Sequence, residues 1–162
     1  MPDVICNTSP LQYLHQIGML HLLPALVNTV IVPEAVVEEL ATGRELGVSL
    51  PDVRGLGWIV VRRPVSAPAL PLVTDLGRGE TQVLALALET LDAIIVVDDD
   101  LARRTAEALG LRLTGTLGIL LDAKRAGLIP AVGPLLDQLE QHRFRLAGHT
   151  RAAVLKLAGE TA

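Results

Sequence analysis

The stretch Ala93-Ile94-Ile95-Val96-Val97-Asp98-Asp99-Asp100 decides the fold. Its apolar residues follow one another without alternating polar positions, which is typical of a central parallel strand covered by helices on both faces. Ligands of such sheets bind beyond the carboxyl ends of the strands, and this strand runs directly into aspartates. The segment therefore predicts an α/β fold and also the edge of the sheet at which a site lies.

Apolar and β-branched runs on either side of this strand predict a sheet built from several short strands. The predicted strands cover residues 3–6, 29–32, 58–61, 93–97 and 111–113. Helical patterns separate them along the chain, and strands that alternate with helices through short connections indicate an open parallel sheet with helices on both faces. A length of 162 residues fits one folding unit, so we expect a single domain over residues 1–162.

Capping signals place the helices between these strands. Ser9 and Pro10 predict a helix start, with Ser9 as the N-cap and Pro10 at the first helical position. Gly18 is expected to divide the following apolar stretch into a hairpin of two helices, and Pro33 to open the next helix. Loops are predicted at 43–57 and 67–71, and later helices from 79, through 108–110, and over 117–126, 132–142 and 150–158.

The composition restricts the class of function. Half of the residues are hydrophobic, but the chain has only one Trp, one Tyr and one Phe, which disfavours a base-stacking platform for single strands. The net charge of −4 argues against nucleic acid unless the negative charge is concentrated around a cation. No apolar stretch is long enough to span a membrane and no signal peptide is evident, so we expect a cytoplasmic protein in which Cys6 is a buried structural thiol.

Acidic and amide residues fall at predicted strand ends or in helices that begin there. They are Asn7, Glu39, Glu80, Asp98 and Asp99. Two carboxylates about 5 Å apart repel by roughly 3 kcal/mol at an effective dielectric constant near 20, so a converging cluster favours a bound cation. Oxygen ligands suit Mg²⁺ or Mn²⁺, and the lack of spaced Cys and His residues argues against zinc.

Each of these residues also has a purely structural interpretation. Asn7 is typical of a local turn and Glu39 of a solvated helix. Glu80 is expected to favour the positive end of a helix, and the aspartates to cap the next one. The combination, rather than any one member, indicates a metal site.

A polyanionic substrate also requires cations near such a cluster. Arg103 and Arg104 directly follow the aspartates, and Arg78 precedes Glu80. All three are candidates for contacts with phosphates that flank the metal, and each is equally well interpreted as a solvated surface residue.

Several motifs, in order along nearly the whole chain, resemble those of the PIN-domain family. The resemblance is greatest to a small prokaryotic branch, close to the VapC-like toxin ribonucleases, that is described mainly as a domain of unknown function. The matching segments are Asn7-Thr8-Ser9-Pro10-Leu11, Val32-Pro33-Glu34-Ala35-Val36, Glu38-Glu39-Leu40, Gly77-Arg78-Gly79-Glu80, Val97-Asp98-Asp99, Ala102-Arg103, Thr114-Gly115-Thr116-Leu117-Gly118, Ala123-Lys124 and Gly127-Leu128-Ile129.

This resemblance implies a three-layer α/β/α sandwich with a short parallel sheet and additional C-terminal helices. It also implies Mg²⁺- or Mn²⁺-dependent ribonuclease chemistry, and often a toxin that pairs with a small antitoxin protein. Glu39, Glu80 and Asp98 would form the acidic site, with Asp99 contributing or positioning. Ser9 and Thr116 would supply hydroxyls near the metal or the scissile phosphate.

Asn7 departs from the pattern of the family, because many PIN nucleases have an aspartate at this position. The departure leaves open a second interpretation, a PIN-like domain that has lost catalysis and serves in binding or regulation. A phospho-acceptor signalling domain is disfavoured, because its acidic pair is expected after the first strand, where this chain has Asn7. Surplus apolar surface on the helix hairpin and on the C-terminal helices predicts a homodimer.

Overall fold

The computed structural model describes residues 1–65 and 75–160. Within them, five parallel strands form one sheet in the order β3-β2-β1-β4-β5. The strands are β1 (Asp3–Cys6), β2 (Thr29–Pro33), β3 (Ile59–Arg62), β4 (Ile94–Val96) and β5 (Arg112–Thr114). All five predicted strands are therefore present, and the predicted parallel sheet is confirmed.

Helices cover both faces of this sheet. Consecutive side chains of a strand point to opposite faces, yet Val4, Ile5 and Cys6 are all buried, as are Val30, Ile31 and Val32 of the neighbouring strand. Both faces must therefore be packed against helices, which confirms the three-layer α/β/α sandwich. The core consists almost entirely of Leu, Val, Ile and Ala, as the lack of aromatic residues requires.

The helices connect the strands and continue beyond the last one. They are α1 (Thr8–Gln16), α2 (Leu22–Leu26), α3 (Glu34–Glu45), α4 (Arg78–Glu89), α5 (Asp100–Ala108), α6 (Thr116–Arg125), α7 (Gly133–Gln141) and α8 (Gly148–Leu157). A short 3₁₀ turn covers Val53–Gly55. The predicted C-terminal helices α7 and α8 are thus present, and α8 packs against α6.

The structure differs from the prediction at the start of α1. The helix begins at Thr8 with Asn7 as its N-cap, whereas the sequence predicted Ser9 in that place. Ser9 therefore lies inside the first turn, where its hydroxyl is free to face a cleft described below. The predicted loop at residues 67–71 lies outside the described residues.

The buried thiol of Cys6 is confirmed. Cys6 is free and fully buried at the end of β1. Burial, and secondarily the negative charge of Asp98, raise the pKa of this thiol to about 12, so it remains protonated at neutral pH. It packs as a small apolar side chain and offers no thiolate for chemistry.

A helix must be long and apolar to cross a membrane. Among residues 1–65 and 75–160, none of the helices combines the length and the apolar character required to cross a bilayer.

Candidate active site at an acidic cleft

The site lies where the strand order of the sheet reverses. The chain leaves β1 towards β2 and β3 on one side, and it later returns to place β4 and β5 on the other side. The carboxyl ends of the adjacent strands β1 and β4 diverge at this point, which is where open α/β sheets bind ligands. Asn7 follows β1 and Asp98 follows β4, and the backbone N–H of Asn7 donates to the carbonyl of Val96 at 3.0 Å.

Asp98 is held by the start of α6. Its Oδ1 accepts a hydrogen bond from the backbone N–H of Thr116 at 2.8 Å, and its Oδ2 accepts one from the Thr116 hydroxyl at 2.6 Å. Burial nevertheless raises the pKa of Asp98, although the two hydrogen bonds and the nearby Arg103 act in the opposite direction. Asp98 is therefore a fixed carboxylate whose ionised form is poorly solvated, and such a group favours a nearby cation.

Gly115 explains how Asp98 and α6 come so close together. A Cβ atom at this position would lie 2.7 Å from Asp98 Oδ1 and 3.0 Å from the carbonyl oxygen of Val97. The first of these atoms is pinned by Thr116 and the second belongs to the backbone, so neither can easily move. Only glycine fits between β4 and α6 without displacing the carboxylate.

Asn7 carries an unsatisfied polar atom at the end of β1, the strand that neighbours β4. The residue is 3% exposed, and its Oδ1 has no hydrogen-bond partner. A buried amide oxygen without a partner costs roughly 1–3 kcal/mol unless a donor, a water molecule or a cation satisfies it. Its position at the end of β1, beside the end of β4, suits a ligand shared with Asp98.

A cleft of about 340 Å³ opens above these strand ends. Ser9, Glu80, Asp98 and Asp99 all line it, so the structure brings together four of the residues singled out in the sequence. Asp99 has a structural task as well, because its Oδ2 caps α5 by accepting from the N–H of Ala102 at 2.9 Å.

Glu39 lies outside this lining and instead connects α3 with α1 and α4. Its carboxylate accepts hydrogen bonds from the Thr8 hydroxyl and, at 3.1 Å, from the backbone N–H of Gly79. A Cβ atom on Gly79 would lie within 2.7 Å of Glu39 Oε1. The geometry makes Glu39 a residue that positions the first turn of α4, and with it Glu80.

The predicted substrate-binding arginines are dispersed. Arg78 forms an exposed ion pair with Glu38 and does not line the cleft. Arg103 donates to the carbonyl of Val97 at 2.9 Å and lines a second cleft of about 480 Å³ on the other side of Asp98. Arg104 is exposed on α5 and lines neither of these two clefts.

The cleft also contains residues that the sequence did not single out. Tyr13, Arg143, Phe144 and Arg145 line the first cleft, and Phe144 and Arg145 also line the second. The rings of Tyr13 and Phe144 meet edge to face with their centroids 4.9 Å apart. The available signal was the run Arg143-Phe144-Arg145, which contains one of the few aromatic residues of the chain between two arginines.

The donor set allows a test of whether a divalent cation fits. Within the described part of the chain, no three His, Cys, Asp or Glu side chains are placed to hold an ion as a closed cage. Mg²⁺ does not need such a cage, because it keeps several waters and is commonly bound by one or two carboxylates. The unpartnered amide oxygen of Asn7, beside the half-buried Asp98, fits a hydrated Mg²⁺ or Mn²⁺ and does not fit zinc.

Comparison with known proteins agrees with this geometry. The chain resembles a PilT N-terminus domain protein from the hyperthermophilic archaeon Sulfolobus solfataricus P2, with a TM-score of 0.52 and 16% sequence identity over 91% of this chain and 98% of the other. At that identity the likeness shows the fold alone. No curated protein matches the sequence. A family model described as a PIN domain matches residues 3–160, and the chain therefore belongs to the PIN-domain family.

Proposed function

We propose that this protein is a Mg²⁺- or Mn²⁺-dependent endoribonuclease that hydrolyses RNA phosphodiester bonds in the cleft beside Asp98. The observation that carries the proposal is the lining of that cleft, which contains Glu80, Asp98 and Asp99 together with Arg143 and Arg145. Carboxylates suit a divalent cation and arginines suit phosphates, so one cleft offers both partners of metal-dependent phosphodiester hydrolysis.

The residues of the chain have separate tasks in this mechanism. Asp98 and Glu80, together with the amide oxygen of Asn7, would hold the ion. Asp99 caps α5 at the same cleft, and Thr116 fixes the orientation of the Asp98 carboxylate. When bound, the ion lowers the pKa of a water molecule and offsets the charge that develops on the phosphate.

The substrate requires hydrogen-bond donors for its phosphate, and the products carry defined end groups. The Ser9 hydroxyl faces the cleft from the first turn of α1, where it is placed to donate to a phosphate oxygen. In-line attack by water on the phosphorus leaves a 5′-phosphate on one fragment and a 3′-hydroxyl on the other. These end groups differ from the cyclic phosphates of metal-independent ribonucleases, in which the 2′-hydroxyl attacks.

The biological setting belongs to the same proposal. A ribonuclease of this size within the PIN-domain family suits the toxin of a toxin–antitoxin pair, which acts in the cytoplasm and is held inactive by a small antitoxin protein. A homodimer would add cationic groups from the second copy to each acidic cleft. Co-purification of the chain with a small protein encoded beside it, identified by mass spectrometry, tests this part separately from catalysis.

A second candidate is a PIN-like binding or regulatory domain without catalysis. Two observations favour it: Asn7 contributes no charge at the end of β1, and no three acidic residues of the described segments form a closed metal site. Such a protein would bind RNA or a protein partner in the same cleft and would leave the RNA intact.

Cleavage of an end-labelled RNA separates the two candidates. The ribonuclease proposal predicts fragments in Mn²⁺ or Mg²⁺, none in EDTA, and fragments with 5′-phosphate ends that a 5′-phosphate-dependent exonuclease degrades. Intact RNA at every metal concentration would favour the regulatory domain, and fragments with cyclic phosphate ends would refute the proposed chemistry.

A further inference from the structure

The turn that ends α7 has an unusual residue at its key position. The N–H of Arg143 donates to the carbonyl of Glu140, and the N–H of Phe144 donates to that of Leu139, each at 3.0 Å. This pair of bonds closes a Schellman turn, whose central residue takes the left-handed conformation and is usually glycine. Here that residue is Arg143, with φ of 67°.

The other helix ends of the same kind in the chain follow the usual rule. Glycines with φ between 71° and 87° occupy the corresponding position after α1, α3, α5, α6 and α8, namely Gly18, Gly47, Gly110, Gly127 and Gly159. A side chain in this conformation is strained, and strain of this kind is characteristic of functional sites. The arginine at the end of α7 therefore requires an explanation other than the turn itself.

The surroundings of Arg143 supply that explanation. Its side chain lines the acidic cleft with that of Arg145, and Phe144 between them is anchored on Tyr13 of α1. Arg44, Arg63, Arg78 and Arg151 are engaged in ion pairs, whereas neither Arg143 nor Arg145 has a side-chain partner within residues 1–65 and 75–160. Two cations thus face the cleft with their donors free.

The two clefts share part of their lining. Asp98, Phe144 and Arg145 line both of them, so they mark the boundary between a cleft with Arg143 and a cleft with Arg103. A strand of nucleic acid that ran from one cleft to the other would pass these shared residues, with Arg143 in the lining of the first cleft and Arg103 in that of the second.

We propose that Arg143 and Arg145 are the phosphate-binding residues of this site, and that they hold the backbone of a nucleic-acid strand across Asp98. The inference rests on the proposed nuclease function. It names the residues whose positive charge offsets the repulsion between the acidic cleft and a polyanion. It assigns this role to the turn after α7 instead of Arg78, whose guanidinium is engaged by Glu38. Glycine, which suits the turn better, has no cationic side chain to offer a phosphate, and this accounts for the strain retained at Arg143.

Binding of a short fluorescein-labelled oligouridylate, followed by anisotropy in EDTA, tests the proposal without cleavage. Arg143→Gly and Arg145→Gln should each weaken binding on the order of tenfold, as expected for the loss of a charge-assisted hydrogen bond. Each should also reduce the slope of log K against log salt by about 0.7, the value for one phosphate contact on a single strand. Arg143→Lys, which keeps the cation, should retain the slope.

A stability measurement separates this role from a structural one. Arg143→Gly relieves the left-handed strain, so its Tm should rise by about 2–4 °C while RNA affinity falls. A purely structural role for Arg143 predicts the same rise in Tm with unchanged RNA affinity. Arg125→Gln is the matched control, because it removes an exposed arginine of α6 that pairs only with Asp122 at 3.7 Å. It should leave the affinity and the salt slope unchanged.

The outcomes for the two proposals are distinct. RNA binding that depends on Arg143 and Arg145, without cleavage in Mn²⁺, supports this inference and refutes the nuclease. If both variants bind RNA with wild-type affinity and still cleave it in Mn²⁺, the inference is overturned and the nuclease proposal is retained. An unmodified protein that binds no oligouridylate, or variants that bind as well as Arg125→Gln, would likewise overturn it.

Discussion

At the scale of single residues, the site consists of polar groups whose burial is costly without a ligand. Burial raises the pKa of the Asp98 carboxyl, and Asn7 buries an amide oxygen without a partner. Natural proteins retain such groups where function requires them, at a cost in stability. The same cost makes both residues sensitive probes of a bound cation.

Asp98→Asn is expected to raise the Tm of the protein in EDTA at neutral pH. A carboxylate whose pKa is raised by burial destabilises the folded state when it is ionised, and an amide of the same shape removes that penalty. The variant should also lose any rise in Tm caused by millimolar Mn²⁺. Thermal melts in EDTA and in Mn²⁺ measure both effects, and a variant that Mn²⁺ stabilises as much as the wild type would place the ion away from Asp98.

Asn7→Asp is expected to act in the opposite direction. A second carboxylate beside Asp98 should lower the Tm in EDTA, because the two charges repel in a poorly solvated place. It should tighten Mn²⁺ binding on the order of tenfold, because a carboxylate adds the formal charge that an amide lacks.

Titration calorimetry with Mn²⁺ measures this change in affinity directly, with Asp98→Asn as the comparison. Unchanged affinity in Asn7→Asp, together with its loss in Asp98→Asn, would show that Asn7 caps α1 and lies outside the coordination sphere.

The sequence identified the acidic half of the cleft better than its basic half. Asp98 and Asp99 end the most apolar strand of the chain, and position at a strand end is visible in the sequence. Arg143 and Arg145 lie beyond the last strand, and they line the cleft on either side of Phe144 in the chain, whose ring packs on Tyr13. That contact joins residues far apart in sequence, and no local pattern indicates it.

At the scale of secondary-structure elements, the pattern of apolar residues predicted every strand to within one or two residues. The starts of helices were less accurate where two capping residues compete. Asn7, Thr8 and Ser9 are all suitable N-caps, and the hydrogen bond from Asn7 to β4 selects the first of them. The choice depends on the neighbouring strand and therefore cannot be made from the local sequence.

Glu160 joins three C-terminal elements and gives a prediction at this scale. Its carboxylate accepts hydrogen bonds from the backbone N–H groups of Val132 and Gly133 and from Lys124, at 2.8 to 3.0 Å. The two backbone bonds, followed by Lys124, lower the pKa of Glu160 to about 2 from its usual 4.5. Glu160→Gln should lower the Tm at pH 7 by a few degrees, because it loses charge-assisted bonds at the start of α7.

The pH dependence of this effect has a defined sign. Because the pKa of Glu160 is lower in the folded state, its stabilising contribution is complete above about pH 4.5 and is lost as the pH falls towards 2. The difference between wild type and Glu160→Gln should therefore disappear over that range in melts followed by circular dichroism. Glu107→Gln, on the exposed face of α5, is the control. A difference that persists unchanged at pH 2 would contradict the assignment.

At the scale of the whole molecule, self-association remains a prediction, but the apolar surface that supports it is not the one expected from the sequence. Surplus apolar surface was expected on the helix hairpin and on the C-terminal helices, but Leu11, Leu14, Leu22 and Leu23 of the hairpin are buried in the core of the same chain. Among the described residues, several leucines are exposed at helix ends, including Leu88 (51%) and Leu91 (90%) at the end of α4 and Leu157 (60%) at the end of α8.

We expect a dimer at micromolar concentration, and we expect Leu91→Asp to convert it to a monomer, because a buried interfacial carboxylate is unfavourable. Size-exclusion chromatography with light scattering measures both masses. A wild-type monomer throughout the micromolar range would refute the prediction, and a dimer that Leu91→Asp leaves intact would place the interface elsewhere.

The central claim, a metal-dependent ribonuclease site at Asp98, is tested most directly by the rate of RNA cleavage in Mn²⁺. The rates to compare are those of the wild type, Asp98→Asn, Glu80→Gln and Asp137→Asn, of which the last removes a carboxylate that pairs with Arg151 outside both clefts. We predict cleavage by the wild type and by Asp137→Asn, and a loss of at least about a hundredfold in the other two, as expected when a ligand of the catalytic ion is removed. Equal rates in all four proteins, or cleavage by the wild type that EDTA does not stop, would contradict the account.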